Sequence, residues 1–153
     1  ALKQTLMSEL TKAMGTGVPA AIDVCHTRAP AIAAELSRDG VVVGRATRQA
    51  RNPKNRATGW KDDAIEELAA KHARGEPLVA ARFTRVLSDG RIAYAEPLVV
   101  AELCVSCHGT QVAADVKAAI AARYPADQAT GYAVGDLRGI VWVELGRDEK
   151  PAP

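Results

Sequence analysis

The periodic segments of this chain predict an α+β fold: a small antiparallel β-sheet flanked by helices. Three observations carry that expectation. Apolar residues recur at helical spacing early in the chain and again over 60–74, whereas 41–47, 78–87, 91–100 and 140–145 are rich in β-branched residues and read as strands. Ser88-Asp89-Gly90 lies between two of those runs, and Asp-Gly between apolar runs is a strong hairpin signal. With 153 residues, 48% of them hydrophobic, the chain is long enough for one compact unit with its own core. That unit is expected over 1–147, followed by a flexible tail over 148–153.

Each element has its own justification. Residues 2–14 put Leu2, Leu6, Leu10 and Ala13 at helical spacing with Met7 and Met14 beside them, which predicts an amphipathic helix whose methionines pack in the core. Gly15, Gly17 and Pro19 interrupt it, and 20–27 resumes as a helical turn or two. Pro30 suits the first turn of a helix over 31–38, which Asp39-Gly40 stops. The strand over 41–47 carries Gly44 inside it, and 48–59 is a polar, arginine-rich loop. The helix over 60–74 shows Ile65, Leu68 and Ala69 on one face and Asp62 and Asp63 near its start, where the dipole favours carboxylates. A short helix follows over 104–108 and another over 111–123; a loop with Pro125, Gly131, Gly135 and Gly139 leads to the last strand.

Charge and composition exclude several classes. Lys and Arg total 20 against 18 Asp and Glu, a net charge of +2, so no polyanionic partner is indicated. Two Trp, three Tyr and one Phe, scattered, provide no stacking platform for nucleic acid. The longest apolar runs are too short to span a membrane.

The chemistry lies in Cys104-Val105-Ser106-Cys107-His108, the C-x-x-C-H attachment signature of a c-type haem. Two cysteines three positions apart can each add to a haem vinyl group, and the adjoining histidine reaches the iron from that side. A zinc site would need a second Cys/His pair at ligand spacing, and only Cys25-His26 is available, far upstream. A thioredoxin-like dithiol belongs where a strand feeds a helix in a βαβ unit, whereas here a stretch containing Pro97 leads in. One covalent haem c is therefore the expected cofactor. Such attachment takes place outside the cytoplasm, so a periplasmic or other extracytoplasmic location and a trimmed secretion signal are expected.

The second axial ligand decides between carrier, sensor and catalyst. Candidates are Cys25, His26, His72, Met7 and Met14. The methionines read as core, and His72 as a solvated helix end beside Lys71 and Arg74. Of three cysteines two are taken as thioethers, leaving Cys25 unpaired in an oxidising compartment unless it is buried, pairs between chains or binds a metal. A homodimer stays open on that ground. Cys25 shares a helical face with Ile22, and His26 shares one with Asp23, so Cys25 leads.

Ala-Ile-Asp-Val-Cys (21–25), Ala-Pro-Ala-Ile-Ala (29–33), Val-Gly-Arg (43–45) and Arg-Asn-Pro-Lys-Asn (51–55) resemble a family of c-type haem proteins with a PAS-like fold. So do Trp60, Cys-Val-Ser-Cys-His-Gly (104–109), Tyr-Pro-Ala-Asp (124–127), Gly-Tyr (131–132) and Gly-Asp-Leu-Arg-Gly (135–139). The family includes a cyanobacterial single-domain cytochrome and extracytoplasmic sensor regions of signalling proteins. The resemblance spans 2–145 and implies axial ligation by His108 and Cys25. It also favours Arg45, Arg51 and Asn52, within the arginine-rich stretch 45–56, as contacts for the haem propionates. Arg28, three residues after Cys25, is a candidate to offset a thiolate charge, and Trp60, Tyr124 and Tyr132 are candidate pocket walls.

A thiolate opposite imidazole stabilises ferric iron, so a low potential and a redox-labile Cys25 are expected. We expect a monohaem c protein that senses or transfers electrons, partnered by a redox protein or a diatomic gas, and the resemblance favours a redox or gas sensor. The alternative is an electron-transfer cytochrome. An enzyme of sulfur-compound oxidation ranks below both, since it would need substrate access and acid/base groups near the distal face.

Overall fold

A computed structural model describes residues 1–146; the tail expected over 148–153 lies outside the described residues. Helices α1 (Leu2–Thr16) and α2 (Val18–Asp23) run into a π-helical turn, Val24–Arg28, and then α3 (Ala29–Leu36). Strand β1 (Val41–Ala46) and α4 (Trp60–Ala73) precede the hairpin β2 (Phe83–Val86) and β3 (Ile92–Val99). Helices α5 (Glu102–His108) and α6 (Ala114–Arg123) and strand β4 (Leu137–Leu145) complete the fold.

The four strands form one sheet in the order β1-β4-β3-β2, with every neighbouring pair antiparallel. The mixed helix-and-sheet class expected from the sequence is the one observed. The strand expected from residue 78 begins only at Phe83. Pro77 opens a 3-10 turn at Leu78–Ala80 that buries Leu78 and leaves Val79 outside. Pro97 is tolerated in β3, an inner strand, because it lies beyond the last β2 pair, Phe83↔Ala95.

Strand alternation gives the sheet two covered faces. On one, α4 sets Ala64, Ile65 and Leu68 against Ala46, Phe83, Ala95 and Ile140. Trp60 stacks on Phe83 at 6.1 Å and meets Trp142 edge-on, also at 6.1 Å. Gly44 faces Trp142 so closely that any Cβ there would enter the indole, which explains a glycine inside β1. On the other face Leu2 and Ile32 cover Val141. Burying a Leu68-sized side chain contributes about 1.5–3 kcal/mol, so this closed half anchors the rest. A third apolar group joins α2 to α6 through Ile22, Val116, Ile120 and Tyr124, and Cys107 packs against it. Between that group, the far half of α1 and the end of β3 lies a cleft.

Candidate functional site

Helix α5 forms one wall of the cleft. Its two cysteines stand three residues apart, on one helical face, and both line the cleft with His108. The helix ends at Gly109, where the chain turns away in extended conformation. A Cβ at Gly109 would sit 2.5 Å from the Val105 carbonyl oxygen, so only glycine permits this exit. Beyond it, the backbone N–H groups of Tyr132 and Gly131 donate to the carbonyls of His108 and Gly109, each at 3.0 Å.

The His108 ring is held by one short bond, Nδ1 to the Ala129 carbonyl at 2.6 Å. A carbonyl only accepts, so Nδ1 carries the proton and Nε2 keeps a free lone pair. Burial pulls the His108 pKa down to about 3, with the Arg51 and Arg138 cations adding to the effect. At neutral pH the ring is an uncharged imidazole, the form that binds a metal.

Arg51, 9% exposed, secures this wall from behind. Its Nε and Nη2 donate to the two Asp127 carboxylate oxygens at 3.1 Å each, and Nη2 also donates to the carbonyls of Cys107 at 2.6 Å and Ala129 at 3.4 Å. Asp127 in turn accepts from the Ala129 N–H at 2.9 Å. Burial alone would raise the Asp127 pKa, but the Arg51 hydrogen bonds and charge outweigh it and hold the carboxyl below its usual value.

The facing wall is the π turn. Its wider coil carries about one extra residue per turn, and such turns are frequent at functional sites. Cys25 is half-buried and lines the cleft, whereas His26 and Arg28 are exposed. The His26 ring lies edge-on to Tyr124 at 5.1 Å. Arg28 faces away from the sulfur: it binds Glu9 at 2.9 and 3.0 Å and lies 3.7 Å from Glu35. Burial pushes the Cys25 thiol up, and Arg45 and then Arg51 pull partly against it. Cys25, Cys104 and Cys107 are all free thiols.

The remaining walls are apolar: Leu6, Met7, Leu10 and Met14 from α1, and Leu98 and Val100 from the end of β3. The cavity measures about 160 Å³, or about 940 Å³ with its open mouth included. Arg45 and Arg138 project into it. Burial lowers the Arg45 pKa, and the groups that hold it up are the Cys25 sulfur and the Tyr124 phenol. Arg138 donates to Thr47 Oγ1 and the Gln49 carbonyl, lies 5.1 Å from the Tyr132 ring centre, and leaves its buried Nε with no hydrogen-bond partner. An apolar slot with a sulfur and an imidazole on its walls and an orphaned guanidinium N–H suits a flat macrocycle bearing carboxylates. Among the described residues, no three His, Cys, Asp or Glu side chains converge as they would to hold a bare metal ion.

The fold thus brings Cys25, Arg45, Arg51, Cys104, Cys107, His108 and Tyr124 to one cleft. Tyr132 stands behind Arg138. Trp60 belongs to the α4 core, and Asn52 caps a 3-10 turn by accepting from the Lys54 N–H. Met7 and Met14 line the cleft rather than a closed core, while His72 lies at a separate surface hollow. Sequence reasoning missed Arg138, Asp127 and the Ala129 carbonyl. Arg138 and Asp127 lie inside strings that carried the resemblance, but a role exerted through backbone carbonyls leaves no side-chain pattern.

A family model described as Tll0287-like (Tll0287) matches residues 2–145. Among solved structures, the cyanobacterial heme-protein Tll0287 superposes with a TM-score of 0.66 at 26% identity, over 81% of this chain and 72% of that one. No curated protein matches the sequence significantly.

Proposed function

The chain belongs to the Tll0287-like family, and from that premise we propose that it is a c-type haem protein, an extracytoplasmic redox or gas sensor with a labile second ligand. The observation that carries this reading is the shared cleft: Cys104, Cys107 and His108 on one wall, Cys25 on the other. The structural relative is a heme-protein, which supports haem binding here. Cys104 and Cys107 would form the thioethers, and His108 through Nε2 and Cys25 through its sulfur would be the residues to ligate the iron. Arg45 and Arg138 receive the propionates or balance the sulfur charge.

The bound haem supplies a one-electron couple. The rest is the work of Cys25. As a thiolate it favours the ferric state, and burial biases its sulfur toward taking a proton from solvent, which ends its value as a ligand. His108, pinned through Nδ1, has no such freedom. Were Cys25 to leave a bound haem, a diatomic gas could take its place, and the π turn and α3 that carry Cys25 would be the elements to pass that change to a partner protein.

The test is absorption and EPR spectroscopy of wild type and Cys25→Ala in both oxidation states, after a haemochrome spectrum has established covalent haem. Wild type should show a ferric low-spin thiolate signature that the variant lacks, and ferrous wild type should bind CO. Ferrous protein that keeps the thiolate and ignores CO would make the chain an electron carrier.

A further inference from the structure

We propose that Arg51, held by Asp127, is the positioning residue for the His108 imidazole and sets how strongly it donates to iron, an inference that rests on the haem reading above. Its guanidinium lines the cleft and is a candidate to bind a propionate through Nη1, which bonds to no other described residue, whereas Nε and Nη2 are committed to the wall behind His108. The fork is closed on both Asp127 oxygens, and the remaining bonds of Nη2 go to the Cys107 and Ala129 carbonyls. These carbonyls matter because one belongs to the residue before His108 and the other accepts the His108 Nδ1 proton.

Ala129 is therefore gripped at both ends by one ion pair: its carbonyl by Arg51, its N–H by Asp127. Charge-assisted bidentate pairs are the strongest and most directional hydrogen bonds a side chain makes. This one is 10% and 14% exposed at its two side chains, so it is little screened by solvent. Its position fixes the ring orientation and tautomer through the carbonyl, as outer partners of metal-bound histidines do.

The pair also has an electronic effect. A carbonyl that accepts only from Nδ1–H pushes electron density onto the ring and strengthens Nε2 as a donor, which favours ferric iron. Arg51 draws on that same carbonyl and adds a cation behind the ligand, and both effects favour the ferrous state. Asp127 restrains the cation. The two residues thus act on the potential with opposite signs although they hold the same backbone.

The experiment is spectroelectrochemical titration of the haem-loaded protein as wild type, Arg51→Gln, Asp127→Asn and Arg51→Lys, together with NMR exchange of the His108 Nδ1 proton. Arg51→Gln should lower the potential, Asp127→Asn should raise it, and Arg51→Lys should return it toward wild type. The Nδ1 proton should exchange faster in Arg51→Gln and Asp127→Asn. Shifts of the same sign in these two variants, or an Nδ1 proton unaffected by either, overturn the proposal. A chain that shows no haemochrome band fails the haem reading instead, so the two failures are distinguishable.

Discussion

The two walls of the cleft are built on opposite principles. On the α5 wall the carbonyls of Cys107, His108 and Gly109 are each engaged by a distant residue, and the His108 ring is engaged as well. On the π-turn wall Thr27 bonds locally to the Asp23 carbonyl, and Arg28 pairs on the exposed side with Glu9 of α1 and Glu35 of α3. Arg123 ties Asp23 at the head of the turn to α6, but among the described residues no hydrogen bond holds the Cys25 side chain. A residue whose backbone and side chain are both held has one arrangement available to it. A residue on a π turn, with an extra residue in the pitch, has slack. The comparison assigns the fixed partner to His108 and the movable one to Cys25.

The largest effect should come from breaking the fixed wall. Replacing Cys104 and Cys107 together by Ser should abolish covalent haem, read as loss of haem staining on a denaturing gel. Cys25→Ala on the facing wall should leave that staining intact. Next comes Gly109→Ala, which drives a methyl group into the Val105 carbonyl at the end of α5. Overpacking of this kind costs about 1–3 kcal/mol, and the urea midpoint should fall accordingly. A midpoint equal to wild type would mean that the exit from α5 is not rigid.

Acid should loosen the same wall. Asp127 has a folded pKa below its unfolded value, so its pairing contributes stability above the unfolded pKa and loses it as pH falls through the folded one. Urea midpoints of wild type should therefore drop below about pH 4, and part of that drop should be missing in Asp127→Asn. Parallel pH profiles for the two proteins would show that the Arg51–Asp127 pair does not bear on folding.

The difference between the walls also explains what could be read from the sequence. The strands and α4 follow from periodicity and turn chemistry, because their stability comes from apolar faces bounded by turn residues. Cys104, Cys107 and His108 are legible because their spacing is the chemistry, and Cys25 because a third cysteine has to be accounted for. The π turn is not legible. Nothing in Val24-Cys25-His26-Thr27-Arg28 marks an extra residue per turn, since π-helical and α-helical turns draw on the same residue types. The roles of Arg51 and Arg28 were likewise hidden, since arginine spacing cannot show which carboxylate lies across the fold. One pairs with Asp127, 76 positions away, and the other with Glu9, 19 positions upstream.

That last distinction gives the smallest and most discriminating prediction. By sequence Arg28 stands three residues from Cys25 and looks like its counter-ion; in the fold it is exposed and satisfied by Glu9. Exposed ion pairs contribute little, and at about 0.15 M salt a charge more than about 8 Å away is largely screened. Arg28→Gln should leave the unfolding midpoint and the ferric absorption bands where they are in wild type. Arg45 lines the cleft and is the cation that acts most strongly on the Cys25 sulfur. Arg45→Gln should therefore shift the ferric bands and make Cys25 easier to protonate, read as loss of the thiolate signature at a higher pH than in wild type. If Arg28→Gln moves the bands and Arg45→Gln does not, the turn must rotate so that Arg28, not Arg45, accompanies the sulfur, and the slack assigned to that wall is larger than the static structure shows.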